Sequence, residues 1–418
     1  MNSDRTAEAP ADLGGVESNY AWARLVASLA ISTTGAVGLW SVVVVLPAVQ
    51  AEFAVGRGSA SLPYTVTMIG MVLGGIMMGR LADRFGIVIP VVMGAVSLAV
   101  GYLAAAFSES LWQFAAVHGV FIGFFGSSAM FAPMMADISH WFLRRRGLAV
   151  AVTASGSYLA GTLWPPVVAH LVESVGWRQA HVTIAIVCLV VILPLSLVLR
   201  RRAPVLDDAA QEAAASAATN RLRGLKPASL QGVLMLAGLA CCAAMAMPQV
   251  HIVAYCGDLG YGSTRGAEML SMMLGFGIVS RLASGWVADH IGPLQTLLLG
   301  SAMQALTLFL FLPFDGLASL YVISALFGLF QGGIVPSYAL VVRQYFPPAE
   351  AGIRVSLVIS ATIAGMALGG WMSGAIFDLT LSYQAAFLNG ILWNVGHFGL
   401  AVWLLWRLQA RLLAASPA

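Results

Sequence analysis

An arginine inside an apolar helix is the first candidate for chemistry in this chain. Residues 280–292, SRLASGWVADHIG, hold Arg281 some eight residues inside the polar end of a long hydrophobic run, roughly 12 Å of helix rise. Insertion of an arginine there costs about 2.5–3.5 kcal/mol, so it is kept where it faces a cavity or a partner. On a helix its face-mates are Gly277, Ser284 and Gly285, small enough to leave room for a planar guanidinium and a bidentate anion in front of it. The alternative is a structural arginine whose head snorkels to the near interface. The other titratable candidates are His251, His118 and Glu268. Each is a candidate proton carrier, and each also reads as a hydrogen-bonded interfacial residue. Trp40, Tyr64, Tyr158 and Tyr338 punctuate otherwise aliphatic helices and are candidate substrate contacts, with packing the competing role.

No phosphate-cradling loop, metal-ligand cluster or nucleophile–base constellation accompanies them. The expectation is therefore a protein that is not an enzyme, binds no metal and no cofactor, and is not driven directly by ATP. The four cysteines, Cys188, Cys241, Cys242 and Cys256, lack paired CxxC spacing and read as small apolar fillers.

The elements that position these residues must be membrane helices. Of 418 residues 59% are hydrophobic and only 9% charged, against about a quarter charged in soluble domains. Apolar runs long enough to span fall at 24–48, 60–79, 88–107, 112–136, 147–171, 180–199, 230–256, 266–287, 294–312, 318–342, 352–376 and 384–406. This all-α layout divides into a tail (1–23), a six-helix half (24–200), a charged, alanine-rich linker (201–229), a second half (230–407) and a second tail (408–418). Of the 21 basic residues, Arg57, Arg178 and Arg265 lie on one side, Arg281 lies within a span, and the remaining 17 share the side of the termini. The positive-inside rule then predicts that both termini are cytoplasmic. Of the basic residues only Lys226 is lysine, a bias that hints at a GC-rich bacterial genome and so at a bacterial inner membrane.

An internal repeat supports the halving. GRLADRFG (79–86) ends span 2 and GWVADHIG (285–292) ends span 8, 206 residues later (285 − 79). Gly79 and Gly285 are expected to permit close helix contact, and Gly86 and Gly292 the tight turn that follows. Asp83 and Asp289 are expected to be held by the next helix N-terminus and by neighbouring arginines such as Arg84. The pairs Gly119/Gly123, Gly365/Gly369 and Gly370/Gly374 have the spacing of packing seams.

GRLADRFG closely resembles the loop 2–3 signature of the major facilitator superfamily, and GWVADHIG its weaker second copy. Residues 141–179, with Gly147-Leu148-Ala149, Ser155-Gly156-Ser157 and Gly176-Trp177-Arg178, resemble the monocarboxylate porter branch and its oxalate–formate antiporter relatives, as does the stretch 248–292. The resemblance implies two six-helix bundles rocking about a central site lined by spans 1, 2, 4, 5, 7, 8, 10 and 11. In those families an arginine four residues before the motif glycine lies in the cavity and pairs with a substrate carboxylate; the matching position here is Arg281. Departures are informative. The eukaryotic porters carry an aspartate one turn before that arginine and a lysine in span 1, whereas this chain has Gly277 and no lysine in that span. The span 11 lysine of the oxalate exchangers is also absent. One buried cation favours a monoanion and removes the usual proton-coupling arrangement.

The expected function is alternating-access transport of a small organic monocarboxylate, with or without protons, by a monomer in the bilayer that binds no nucleic acid. Competing readings are an exporter of bulkier apolar compounds and a non-transporting membrane sensor.

Overall fold

In a lipid bilayer each backbone N–H and C=O must be satisfied within the spanning segment. The computed structural model, which describes residues 17–142, 145–201, 227–346 and 348–414, meets that demand with helices. They are α1 (Asn19–Phe53), α2 (Arg57–Phe85), α3 (Val88–Ala106), α4 (Leu111–Ser139), α7 (Pro227–Asp258), α8 (Ser263–Ile291), α9 (Pro293–Leu310), α10 (Leu317–Tyr345), α11 (Gly352–Thr380) and α12 (Tyr383–Arg407). An eleventh segment, Gly147–Leu199, is 53 residues long, roughly 80 Å if straight and far too long for one crossing. It is broken at Gly176, whose φ of 83° reverses the chain, and so supplies α5 (147–175) and α6 (177–199). Twelve spans result, and most of the expected linker (residues 202–226) lies outside the described residues.

Helices α1–α6 and α7–α12 form two bundles. Within each, backbones approach where side chains are missing. A Cβ on Gly123 would sit 2.5 Å from Thr67 O, and one on Gly369 2.2 Å from Ala243 O, so these glycines seat α4 on α2 and α11 on α7. The 206-residue repeat extends to backbone conformation. Gly86 (φ 86°) and Gly292 (φ 95°) make the same left-handed turn after α2 and α8. Helix α4 widens into a π-helix over His118–Gly126 and breaks between Gly126 and Phe131, and α10 breaks at Gly332–Gly333, again 206 residues on (332 − 126).

Two seams join the bundles: α5 against α8, and α2 against α11. They are asymmetric along the membrane axis. At the end far from the termini, the Arg57 guanidinium grips the Asp258 carboxylate with both Nη atoms. Asp378 accepts from the backbone N–H of Arg57 (2.7 Å) and of Gly58 (2.8 Å). Thr264 bonds to Glu173, and Thr65 to Ala367 O (3.1 Å). Towards the termini the last hydrogen bond between bundles, among the described residues, is Arg281 to Ala154 O.

That asymmetry corrects two expectations for the repeated motif. A Cβ on Gly79 or Gly285 would meet nothing within 4 Å, so the close contact expected there is not made. Asp83 and Asp289 are exposed, cap neither following helix and enter no ion pair among the described residues. Arg84 lies over its neighbour Phe85. The bundles are apart at the end where these residues would engage.

Candidate functional site

Between the bundles lies a cavity of about 110 Å³, walled by α1, α2, α4, α5, α7, α8, α10 and α11, the eight spans expected. Its construction starts from helix breaks. Helix α5 is interrupted at Ser155, where Tyr158 N–H bonds to Ser155 O, three residues back. Ala154 O then accepts from Ser157 Oγ (3.2 Å) and from Arg281 Nη1 (3.4 Å). On the facing wall α1 turns at Ala36, and Trp40 Nε1 donates to Ser157 O at 2.9 Å, tying α1 to α5.

Arg281 projects into this cavity from α8. Its guanidinium carbon lies 3.7 Å from the Tyr158 ring centroid, within range of a cation–π contact. Tyr158 can lie there because Gly277, one turn before Arg281, has no side chain: a Cβ on Gly277 would sit 2.4 Å from Tyr158 Cε1. The Tyr158 hydroxyl donates to Gln331 Oε1 (3.3 Å), which fixes the ring. Among the described residues Arg281 forms no ion pair, and its Nε is buried without a partner. The space beside Gly277, where the eukaryotic porters are expected to carry an aspartate, is therefore filled by the Tyr158 ring.

Around this cation the wall is apolar and soft: Met68, Met71, Met130, Met245 and Met366 line it with Trp40, Leu39 and Phe131. Methionine thioethers adapt to irregular apolar or aromatic groups. All four cysteines are buried and unpaired, and Cys242 lies on the cavity wall.

The other sequence candidates separate clearly. Arg281, Tyr158 and Trp40 are brought together at the cavity. Tyr64 is buried above it, its ring 3.1 Å from where a Gly370 Cβ would be, on the α2–α11 seam. His251 is fully buried beside that seam, Nε2 2.8 Å from Gly370 O and Nδ1 3.5 Å from the Tyr383 hydroxyl. Tyr338 is buried inside the second bundle near His397. His118 is enclosed in the first bundle by Phe114, Tyr102 and His181, away from the cavity wall. Glu268 is on the surface, bound by Arg265 (3.0 Å) and Tyr321.

Sequence reasoning passed over three residues. Arg57 and Arg24 were counted only as topology charges, yet Arg57 closes the far end, and Arg24 is fully buried with a bidentate ion pair to Asp137 (2.8 and 2.9 Å). An aspartate near the end of an apolar span was the available signal for the second. The third, Gln249, lines the cavity beside Pro248, and one neutral polar residue in an apolar span carries no sequence signal of its own.

The comparisons with known proteins agree with this geometry. The Major Facilitator Superfamily profile matches residues 28–319 and 279–417. Monocarboxylate transporter 13 of Rattus norvegicus is 27% identical over 357 residues, covering 81% of this chain and 79% of that protein. The MFS-type transporter YcxA of Bacillus subtilis is 25% identical over 337 residues, covering 79% and 82%. Among solved structures, a bacterial homologue of the human lysosomal transporter Spinster, in an inward-facing and occupied conformation, superposes with a TM-score of 0.70 at 15% identity over 96% of this chain and all of that one. With twelve spans in two repeated halves, a cavity between them and a family match along nearly the whole chain, this multi-pass membrane protein belongs to the Major Facilitator Superfamily of transporters, and it is similar to its monocarboxylate porter branch.

Proposed function

We propose that the protein is a secondary transporter of a small organic monocarboxylate, whose carboxylate binds Arg281 in the central cavity. One observation carries the reading: a guanidinium on the cavity wall, stacked on Tyr158, with no carboxylate among the described residues to neutralise it. Arginine presents a planar fork that matches a carboxylate bidentately, and in a low-dielectric site such a bond is stronger than in water. A single cation suits a monoanion. A dianion would bring a second charge into a methionine wall that cannot compensate it.

Alternating access supplies the rest of the mechanism. Closed at the far end by Arg57, Asp258 and Asp378 and, among the described residues, without a hydrogen bond between the bundles beyond Arg281 towards the termini, the molecule reads as the state open towards the termini. By the distribution of arginines that side is the cytoplasm, and the membrane is the bacterial inner membrane. Transport requires the far-end contacts to release while Gly79, Asp83, Gly285 and Asp289 come together at the opposite end. Energy comes from gradients. If protons are coupled, His251 is the titratable candidate beside the moving α2–α11 seam; His118 and Glu268 are removed from the cavity. The protein works as a monomer, each chain having its own pathway between its two bundles.

The apolar wall also fits the alternative of an exporter of bulkier hydrophobic compounds, and Arg281 separates the two readings. In proteoliposomes Arg281→Ala should abolish saturable, carboxylate-competed uptake while the protein stays folded. Undiminished carboxylate uptake by the variant would remove the assignment.

A further inference from the structure

A second polar group in the same cavity is uncommitted. Gln249 is 1% exposed, lines the cavity from α7, and among the described residues has no hydrogen-bond partner at either its amide oxygen or its amide nitrogen. Its polar neighbours on the wall are occupied. Ser32 donates to Met130 O (2.9 Å), Ser127 to Gly35 O (2.8 Å), Ser157 to Ala154 O (3.2 Å) and Thr362 to Ile359 O (2.7 Å). Buried amides are almost always matched, because an unmatched one forfeits its hydration without return. A carboxamide that is buried, unmatched at both atoms and turned into a substrate cavity has the features of a group that waits for a ligand.

Its depth says which part of a ligand. Helix α7 runs towards the far end, and Gln249 is nine residues short of Asp258 (258 − 249). Helix α8 runs back, and Arg281 is eighteen residues beyond Ser263 (281 − 263). At 1.5 Å per residue the two Cα levels differ by roughly 13 Å along the bundle. Side chains lean towards the N-terminus of their own helix, so Gln249 and Arg281 lean towards each other and meet one bound molecule from different levels, and methionine side chains make up much of the remaining wall.

We propose that Gln249 reads a second, neutral hydrogen-bonding group on the substrate, at the end remote from its carboxylate. This rests on Arg281 binding that carboxylate. The substrate class is then a monocarboxylate with an apolar or aromatic middle and a distal hydroxyl or amide. A hydroxyl can donate to Gln249 Oε1 and accept from Nε2 at once. A second carboxylate can only accept, and it would have no cation beside it. Short acids that end before α7 leave Gln249 unmatched and bind weakly, because a site built around a hydrogen bond rejects analogues lacking the group.

Calorimetric titration of the purified full-length protein with matched acids tests this: benzoate against 4-hydroxybenzoate, and hexanoate against 6-hydroxyhexanoate. At one spacing at least, the hydroxylated acid should bind about tenfold tighter, the worth of one matched hydrogen bond. Gln249→Met, similar in length and apolar, should bring that ratio below about twofold without lowering the melting temperature of the ligand-free protein. Gln249→Asn keeps the amide but shortens its reach, and should reduce the ratio less. Equal affinities within every pair in the unaltered protein, or a preference that survives Gln249→Met, overturn the proposal while leaving Arg281 as the carboxylate site. A drop in ligand-free melting temperature for Gln249→Met with the ratio unchanged assigns Gln249 a structural role. Binding of the acids undiminished by Arg281→Ala, or no binding by any of them, overturns the carboxylate reading and this one with it.

Discussion

Arg24 and Arg281 are both arginines within membrane helices, and the molecule treats them in opposite ways. Arg24 is fully buried and saturated. Asp137 takes Nε and Nη2, the Tyr20 hydroxyl and Arg201 O take Nη1, and Trp141 lies 4.6 Å beneath. Arg281 is half-buried, has an aromatic platform but no acid among the described residues, and makes one long bond to a carbonyl. The first is a closed ion pair that pins α1 to α4 near the termini. The second is half an ion pair. A chain that satisfies one buried arginine so fully leaves another without an acid among the described residues, and that difference is what the proposed carboxylate site rests on.

That contrast can be broken at several points. Arg24→Ala should have the largest effect on stability, about 3–5 kcal/mol, because it strands the largely buried carboxylate of Asp137; thermal unfolding in detergent would register it. Adding Asp137→Ala should recover part of the loss, whereas equal melting of Arg24→Ala and the unaltered protein would make the pair ornamental. Gly277→Ala comes next. Its Cβ meets the Tyr158 ring at 2.4 Å, and forcing that ring aside should cost about 1–3 kcal/mol and weaken substrate affinity, since the platform under Arg281 moves. Unchanged affinity would mean that Tyr158 does not position the guanidinium. Arg57→Ala should loosen the far end more than it lowers global stability. Faster hydrogen exchange is expected in residues 57–65 and 370–378, and Arg57→Asp combined with Asp258→Arg should restore protection. Smallest is Gly79→Ala. With open space around that position, stability should change by less than about 0.5 kcal/mol, while the transport rate falls because the other state brings the two bundles together there.

Much of the architecture was legible in one dimension. Hydropathy and the GRLADRFG/GWVADHIG repeat specify twelve spans in two halves, since each span must satisfy its own backbone in lipid and a 206-residue copy repeats the turn glycines Gly86 and Gly292. Arg281 was legible because a charge in an apolar run has few explanations. What was not legible depends on long-range contact. Tyr158 lies 123 residues before Arg281 (281 − 158) and reads as one more aromatic until Gly277 is seen to admit it. Arg24 finds its acid 113 residues away, so alone it looks like a topology signal. The π-helix in α4 lies where that helix packs closely on α2, a contact that no local propensity encodes. Gly79 and Asp83 make none of the contacts that their motif led one to expect, because those depend on which helix end lies opposite and not on the motif itself.

The measurement that bears most directly on the central claim is substrate binding by Arg281→Ala and Arg281→Lys beside their melting temperatures. Neutralising Arg281 removes no ion pair, so Arg281→Ala should melt within a few degrees of the unaltered protein yet lose saturable carboxylate binding. Arg281→Lys, which keeps the charge but not the fork, should recover only part of it. A variant that melts far lower, or one that binds carboxylates as tightly as before, would contradict the account.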